Sequence, residues 1–236
     1  MANDYFKFKK FTVFQSDCAM KVCTDACLFG AILPKEFESN CKALDIGSGT
    51  GLLSLMFTQN NPTCKIDAVE IDESATIQCK QNVELSSWQE NINVHHSDIK
   101  AFQSNTKYDC IFSNPPFYSS DLKGNDDKKN VAKHHVTLKF SELLNSVKQL
   151  LKINGIFYVL IPFSLEEEFI KKATDVELFP LNITRVKQTN LHNYFRSIIC
   201  FTDKPQQISE AEISIKVNNE YSAEFKALLL DFYLYL

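Results

Sequence analysis

From residue 42 onward the apolar positions follow two different periods. The runs "KALDIG", "CKIDAVEI", "INVHHSD", "YDCIFSN" and "GIFYVLIP" are short and apolar-rich, and turn residues bound most of them. In "GLLSLMFTQN", "ATIQCKQNVELSS", "FSELLNSVKQLLK" and "LEEEFIKKA" the apolar residues recur every three or four positions. The first kind predicts buried strands and the second amphipathic helices. Their alternation predicts an α/β fold with a doubly wound, mostly parallel sheet. Asp72 or Ser74 is the expected opening of the second of these helices. The last third is strand-rich instead, in "PLNITRVKQ", "YFRSIICFTDK" and "AEISIKV". Consecutive strands of this kind can pair antiparallel and close one edge of the sheet. A terminal helix is expected through "SAEFKALLLDFYLYL".

Residues 1–40 precede the first strand–helix unit. "FKFKKFTVFQ" interleaves β-prone aromatics with lysines, the pattern of a short hairpin or extended segment. "TDACLFGAIL" predicts a helix with Thr24 as N-cap and Pro34 near its end. Two parts are therefore expected: an extension over residues 1–40 that covers the functional site, and a main domain over 41–236.

The 236 residues suffice for one α/β domain with a full core, and 44% hydrophobic with 23% charged residues is an ordinary globular composition. No run approaches the roughly 18 apolar residues that span a bilayer, and "MANDYFKFKKF" lacks the apolar core of a secretory signal. The expectation is a cytoplasmic protein without a membrane partner. In that compartment the eight cysteines (18, 23, 27, 41, 64, 79, 110 and 200) read as small buried hydrophobes. No C-x-x-C pair is present, so no metal is expected.

A formal charge of −4 gives no global attraction to nucleic acid, but the distribution is uneven. Lys7, Lys9 and Lys10 cluster near the start. Five lysines against three aspartates, with His134 and His135, lie between Asp121 and Lys139. Arg185 and Arg196 are the only arginines, and they lie near Lys187. Each cluster is either a solvated face or a local phosphate contact.

The most informative stretch is "LDIGSGTGLL", with Asp45, Gly47, Gly49 and Gly51 at a strand-to-helix turn. Glycines there let the backbone approach a ligand closely. The dinucleotide fingerprint G-x-G-x-x-G would need glycine where Leu52 stands. An acid two residues before the first glycine is also a poor neighbour for a pyrophosphate. It suits a cationic, phosphate-free ligand such as S-adenosylmethionine, whose amino group a carboxylate can hold. Glu70 ends the next strand, where an acid can accept from both ribose hydroxyls. Asp98 ends the third, placed to accept from an adenine amino group. Each has a plainer alternative, Glu70 as a solvated strand end and Asp98 as the N-cap of "IKAFQ". Three acids at three successive strand ends beside a glycine turn fit a nucleoside ligand.

"SNPPF" then follows the fourth strand on the same edge. Tandem prolines cannot sit inside a central strand or a helix. They suit the methylation of an exocyclic amine, whose lone pair is delocalised into its ring. The Asn114 side chain and the Pro115 carbonyl can each accept one N–H of that amine, which frees the lone pair. Pro116 adds no competing donor, and Phe117 can stack on the base. Positioning then carries the rate, without a metal.

Asp45 to Gly51, Glu70, Asp98 and "NPPF", in this order, resemble the class I S-adenosylmethionine-dependent methyltransferases that modify amines. The stretch "FKFKKFTVFQSDCAMKVCTDACLFGA" is similar to the N-terminal signature of the bacterial tRNA1(Val) (adenine37-N6)-methyltransferases. The resemblance implies a seven-stranded sheet, S-adenosyl-L-methionine as cofactor and a tRNA anticodon-loop adenine as substrate, with no obligate protein partner. It implies that Lys21 and Thr24 border the methionine end of the cofactor, together with Asn114. For an RNA substrate, the lysine clusters that would flank the pocket, Lys7, Lys9 and Lys10 and, directly after "NPPF", Lys128, Lys129 and Lys133, are the candidate phosphate contacts. The chain departs from the family in two places. Cys23-Thr24-Asp25-Ala26 stands where G-T-D-G is usual, and Lys133 stands for an arginine, which keeps the charge and loses the planar fork. Other planar amines remain alternatives: an rRNA guanine, a DNA adenine or a protein glutamine. A non-catalytic binding protein is another, though the intact set at residues 114–117 argues against it.

Overall fold

Alternate side chains of the buried strands enter two apolar cores, one on each side of a single sheet. The computed structural model describes residues 3–16, 18, 20–35, 37, 40–116 and 138–236. The chain opens with a hairpin, β1 (Tyr5–Lys7) and β2 (Thr12–Phe14), followed by α1 (Thr24–Ile32). The alternating part comprises β3 (Lys42–Ile46), α2 (Leu52–Asn60), β4 (Lys65–Glu70), α3 (Glu73–Glu84), β5 (Ile92–His96) and β6 (Tyr108–Ser113). It continues through α4 (Phe140–Leu150), β7 (Leu151–Pro162) and α5 (Glu166–Asp175). The last part holds β8 (Phe179–Thr189), β9 (Tyr194–Thr202), β10 (Ser209–Val217), β11 (Glu220–Tyr221) and α6 (Ala223–Leu229).

The sheet order is β11–β10–β8–β9–β7–β6–β3–β4–β5. The five strands from β7 to β5 pair in parallel, and β9 is antiparallel to both β7 and β8. This is the expected class, a doubly wound α/β sheet with antiparallel pairing towards its C-terminal edge. The count differs from the expected seven: the described sheet has nine strands. The added β10 lies parallel to β8, and only its short hairpin with β11 is antiparallel.

Ala43, Cys110, Phe112 and Leu160 enter the core beneath α1, α2 and α3. Leu44, Ile46, Ile111, Phe157 and Val159 enter the other, under α4 and α5. Strands covered on both faces must be apolar at successive positions, as these are. The hairpin joins the first core through Phe8, Phe11 and Val13. Its tip meets the far end of the chain: Phe8 bridges to Tyr233, and the Lys9 N–H donates to the Phe232 carbonyl at 2.8 Å.

Three local expectations are corrected. Helix α1 begins one residue earlier, with Cys23 as N-cap and Thr24 as its first residue. The terminal helix stops at Leu229, because residues 232 and 233 turn back to pair with the hairpin. Cys41 and Cys64 are not separate apolar fillers: they form a disulfide at the starts of β3 and β4, with Cα atoms 4.7 Å apart. Of the others, Cys18, Cys27, Cys79, Cys110 and Cys200 are buried thiols. Helix α3 does open after Asp72, whose side chain accepts from the Ala75 N–H at 2.8 Å, a regular N-cap.

Candidate active site

Parallel register brings the ends of four strands to one edge. Ile46 of β3 lies opposite Val69 of β4 and Ser113 of β6, and Glu70 of β4 lies opposite His96 of β5. In open α/β sheets the crevice at the carboxyl ends of the strands is where ligands bind. The glycine turn follows β3, Asp98 follows β5, and Asn114 follows β6. The Ser113 hydroxyl donates to the Ile46 carbonyl at 2.8 Å, tying the start of "NPP" to the strand that leads into the glycine turn.

The turn is held by backbone bonds and by one carboxylate. The Gly47 N–H donates to the Val69 carbonyl at 2.8 Å and the Gly51 N–H to the Ser48 carbonyl at 2.8 Å. Gly47 and Gly49 have φ of 73° and 53°, and a methyl group built on either would meet nothing within 4 Å. Their space is free for a ligand. Gly51, with φ of 80°, has a second reason for its type: a Cβ there would lie 2.8 Å from the Cys79 sulfur on α3.

Glu70 is buried and its carboxylate faces the turn. Oε2 accepts the Gly49 N–H at 2.8 Å, and Oε1 accepts those of Ile71 and Asp72 at 2.9 Å each. A carboxylate has about four acceptor sites, so capacity remains on Oε2 for a ribose hydroxyl. Asp98 accepts the Lys100 N–H at 2.9 Å, while its carbonyl accepts from Ala101 and Phe102. This is the capping role weighed as its plainer alternative.

Asp45 is fully buried beneath the turn. Its Oδ2 accepts from the Ser54 hydroxyl at 2.7 Å, and its Oδ1 has no partner among the described residues. Burial pushes its carboxyl up to about 7; the Ser54 bond opposes this and the Glu70 charge adds to it. An unfolded aspartate titrates near 4. The folded state therefore holds the proton more tightly between about pH 4 and 7. Through this group the stability of the ligand-free protein falls as pH rises across that window, by roughly 1.4 kcal/mol per unit, and then levels. Asp45→Asn should abolish that fall, which urea titrations of both proteins at pH 5 and 8 will read. An equal decline in the variant would mean that Asp45 is not its source.

The other predicted residues fall into three groups. Asn114 is partly exposed, Pro115 buried and Pro116 exposed, whereas Phe117, Lys128, Lys129 and Lys133 lie outside the described residues. Lys21 directs its ammonium to the carbonyls of Gln15 and Ser16, closing the loop that leads into α1. Lys7 and Lys10 are exposed, and Lys9 donates to the Leu230 carbonyl at 2.6 Å. The arginine cluster is neutralised within the fold. Arg185 is bidentate on Glu166 and also bonds Glu210, Arg196 bonds Asp25 at 2.8 Å, and Lys187 bonds Glu212 at 3.1 Å. Among the described residues no group of three metal-ligating side chains occurs, and no helix is long and apolar enough to cross a membrane.

One residue went unnoticed in the sequence. Asn82 of α3 is 1% exposed, and its side-chain oxygen accepts the Phe14 N–H at 2.8 Å. Its amide group donates to the Phe14 carbonyl at 2.8 Å and to Thr50 in the glycine turn at 2.9 Å. It pins β2 to the glycine turn. An asparagine inside a helical pattern carries no local signal of this kind.

Comparison with known proteins agrees with this fold. A solved structure of a predicted O-methyltransferase from Agrobacterium tumefaciens shares the fold, with a TM-score of 0.67 at 12% identity over 88% of this chain and 96% of that one. The family model of the methyltransferase small domain matches residues 18–173. The family model and the fold thus define a class I methyltransferase, which uses S-adenosylmethionine. A tRNA1(Val) (adenine(37)-N6)-methyltransferase from Flavobacterium johnsoniae is 39% identical over 97% of this chain and 99% of its own length. One of the same name from Dyadobacter fermentans is 49% identical over 72% of this chain and 70% of its own length. The chain belongs to the tRNA1(Val) (adenine(37)-N6)-methyltransferase family.

Proposed function

We infer that this protein methylates the exocyclic N6 of an adenine in a tRNA anticodon loop, adenine 37 of tRNA1(Val), with S-adenosylmethionine as donor. The observation that carries this reading is similarity along the whole chain, hairpin included, to relatives of that name. The partly exposed Asn114 at the sheet edge supports it. The setting is the cytoplasm, and no obligate protein partner is required.

The residues present fit the cofactor. Asp45 offers a buried acceptor oxygen without a partner among the described residues, the kind of group a ligand's amino group satisfies. Gly47 and Gly49 leave open space above the turn, and Glu70 keeps acceptor capacity for the ribose. Asp98 and Thr24 border the same site in this reading, and residues 1–40 cover it. When bound, S-adenosylmethionine supplies a methyl carbon made electrophilic by its sulfonium.

The chain's own task is to prepare the nucleophile. The Asn114 oxygen and the Pro115 carbonyl accept the two N–H bonds of N6, drawing the nitrogen out of conjugation. Pro115 and Pro116 bring no N–H to compete for those acceptors. Phe117 stacks on the base once it has left the loop, and loops release bases more cheaply than duplexes do. The lysines at positions 7, 10, 128, 129 and 133 hold flanking phosphates, so binding is salt-dependent despite the acidic net charge.

The test is mass spectrometry of tRNA nucleosides from a strain lacking the gene, with the gene restored, and with an Asn114→Ala copy. N6-methyladenosine in tRNA1(Val) should vanish, return and stay absent, respectively. Unchanged N6-methyladenosine in the deletion strain would overturn the assignment.

A further inference from the structure

The hairpin turns two aromatic rings outward. Tyr5 and Phe14 are direct cross-strand partners, their ring centroids are 6.1 Å apart, and they are 53% and 39% exposed. Strand alternation gives the hairpin two unlike faces. Phe8, Phe11 and Val13 are buried, so the core requires them. Tyr5, Lys7, Thr12 and Phe14 form the other face, which the core does not use. Residues 3–16 contain three lysines and one acid, Asp4. Exposed π faces beside a cation are the chemistry that holds unpaired nucleobases and their phosphates.

The position of this face matters as much as its composition. Asn82 binds both the N–H and the carbonyl of Phe14, as a neighbouring strand would, and the same amide reaches Thr50. The Ser16 hydroxyl adds a bond to Gln78, one turn earlier on α3, at 3.2 Å. The backbone that carries the Phe14 ring is therefore fixed to the turn between Gly49 and Gly51. An exposed ring on a free loop would need no such anchoring.

We propose that Tyr5 and Phe14 form a stacking platform for an unpaired base of the substrate RNA beside the target adenine, with Lys7 on the adjoining phosphate. Asn82 is a positioning residue that sets the distance of the platform from the cofactor turn. This rests on the RNA substrate proposed above and adds a subsite to it. The occupant is single-stranded loop RNA, because duplex bases present no free face to the rings.

The test uses the full chain with cofactor and a tRNA1(Val) anticodon stem-loop that carries 2-aminopurine next to adenine 37. Tyr5→Leu/Phe14→Leu keeps the apolar bulk and removes the π faces. It should raise the KM for the stem-loop at least ~10-fold, with kcat within about twofold. Quenching of the 2-aminopurine on binding should be lost, and Tyr5→Phe/Phe14→Tyr should restore it. Affinity for S-adenosylhomocysteine should not change. If the wild type methylates the stem-loop while the leucine variant keeps its KM and its quenching, the platform is wrong and the function stands. A wild type that methylates no tRNA overturns the function, and the platform with it. Single leucine variants give the same readout should the double variant fold poorly.

Discussion

Asn114→Ala should lower the single-turnover rate of methyl transfer by about 10²–10³-fold, the range seen when one preorganised hydrogen-bonding group is removed from a reacting centre. Affinity for S-adenosylhomocysteine should stay within about twofold. The asymmetry follows from what the bond does. A conjugated amine is a weak nucleophile, and the acceptor matters most once N6 has begun to leave conjugation, so its loss is felt mainly in the transition state. Stability should change little, because residue 114 lies beyond the last residue of β6 and is partly exposed. Asn114→Asp retains an acceptor and should keep part of the rate. A rate in the alanine variant within fivefold of wild type would defeat the proposed role.

Glu70→Ala should have the largest effect on cofactor binding, weakening S-adenosylhomocysteine on the order of 100-fold, or about 3 kcal/mol. Two contributions add. The ribose loses its acceptor, and the glycine turn loses the carboxylate that receives the Gly49, Ile71 and Asp72 N–H groups. Hydrogen bonds to a charged group contribute about 1.5–3 kcal/mol each, so stability should fall by about 2–3 kcal/mol even with water partly replacing them. Glu70→Gln separates the contributions, because its amide keeps one acceptor and sets an NH₂ against a backbone N–H. Calorimetric titration and urea unfolding of both variants provide the measurement. Unchanged affinity in Glu70→Ala would reduce Glu70 to a brace for the turn.

The strand ends and their acids were legible because each rests on a local rule. A glycine turn after an apolar run, an acid closing the next run and tandem prolines after the fourth need only the parallel topology to meet. What escaped depends on contacts remote in sequence. Asn82 reads as one more polar residue on a helix until Phe14, 68 positions earlier, lies against it. Gly51 reads as part of a ligand-facing turn, and only the fold adds a packing reason, in Cys79 of α3. For Arg185 the sequence left a solvated face and a phosphate contact both open, but pairing across β8 and β10 puts Glu210 within 2.8 Å. The parallel placement of β10 followed from no local pattern, since strand-rich sequence carries no sign of direction. The Cys41–Cys64 bond was missed because burial explained each cysteine alone, and only the β3–β4 register makes them neighbours.

The bridge between Phe8 and Tyr233 bears on how the molecule is made. A growing chain emerges from the ribosome in order, so the first hairpin waits for its partner through the synthesis of more than two hundred residues. The parallel strands can assemble in the meantime, but the hairpin's inner aromatics, Phe6 and Phe8, stay without the Tyr233 ring. Contacts this distant in sequence close late, because the loop entropy must be overcome first. The hairpin that bears Tyr5 and Phe14 is thus completed only after residue 233 has been made. A half-made chain can present a formed glycine turn well before it presents the finished hairpin face proposed to meet RNA.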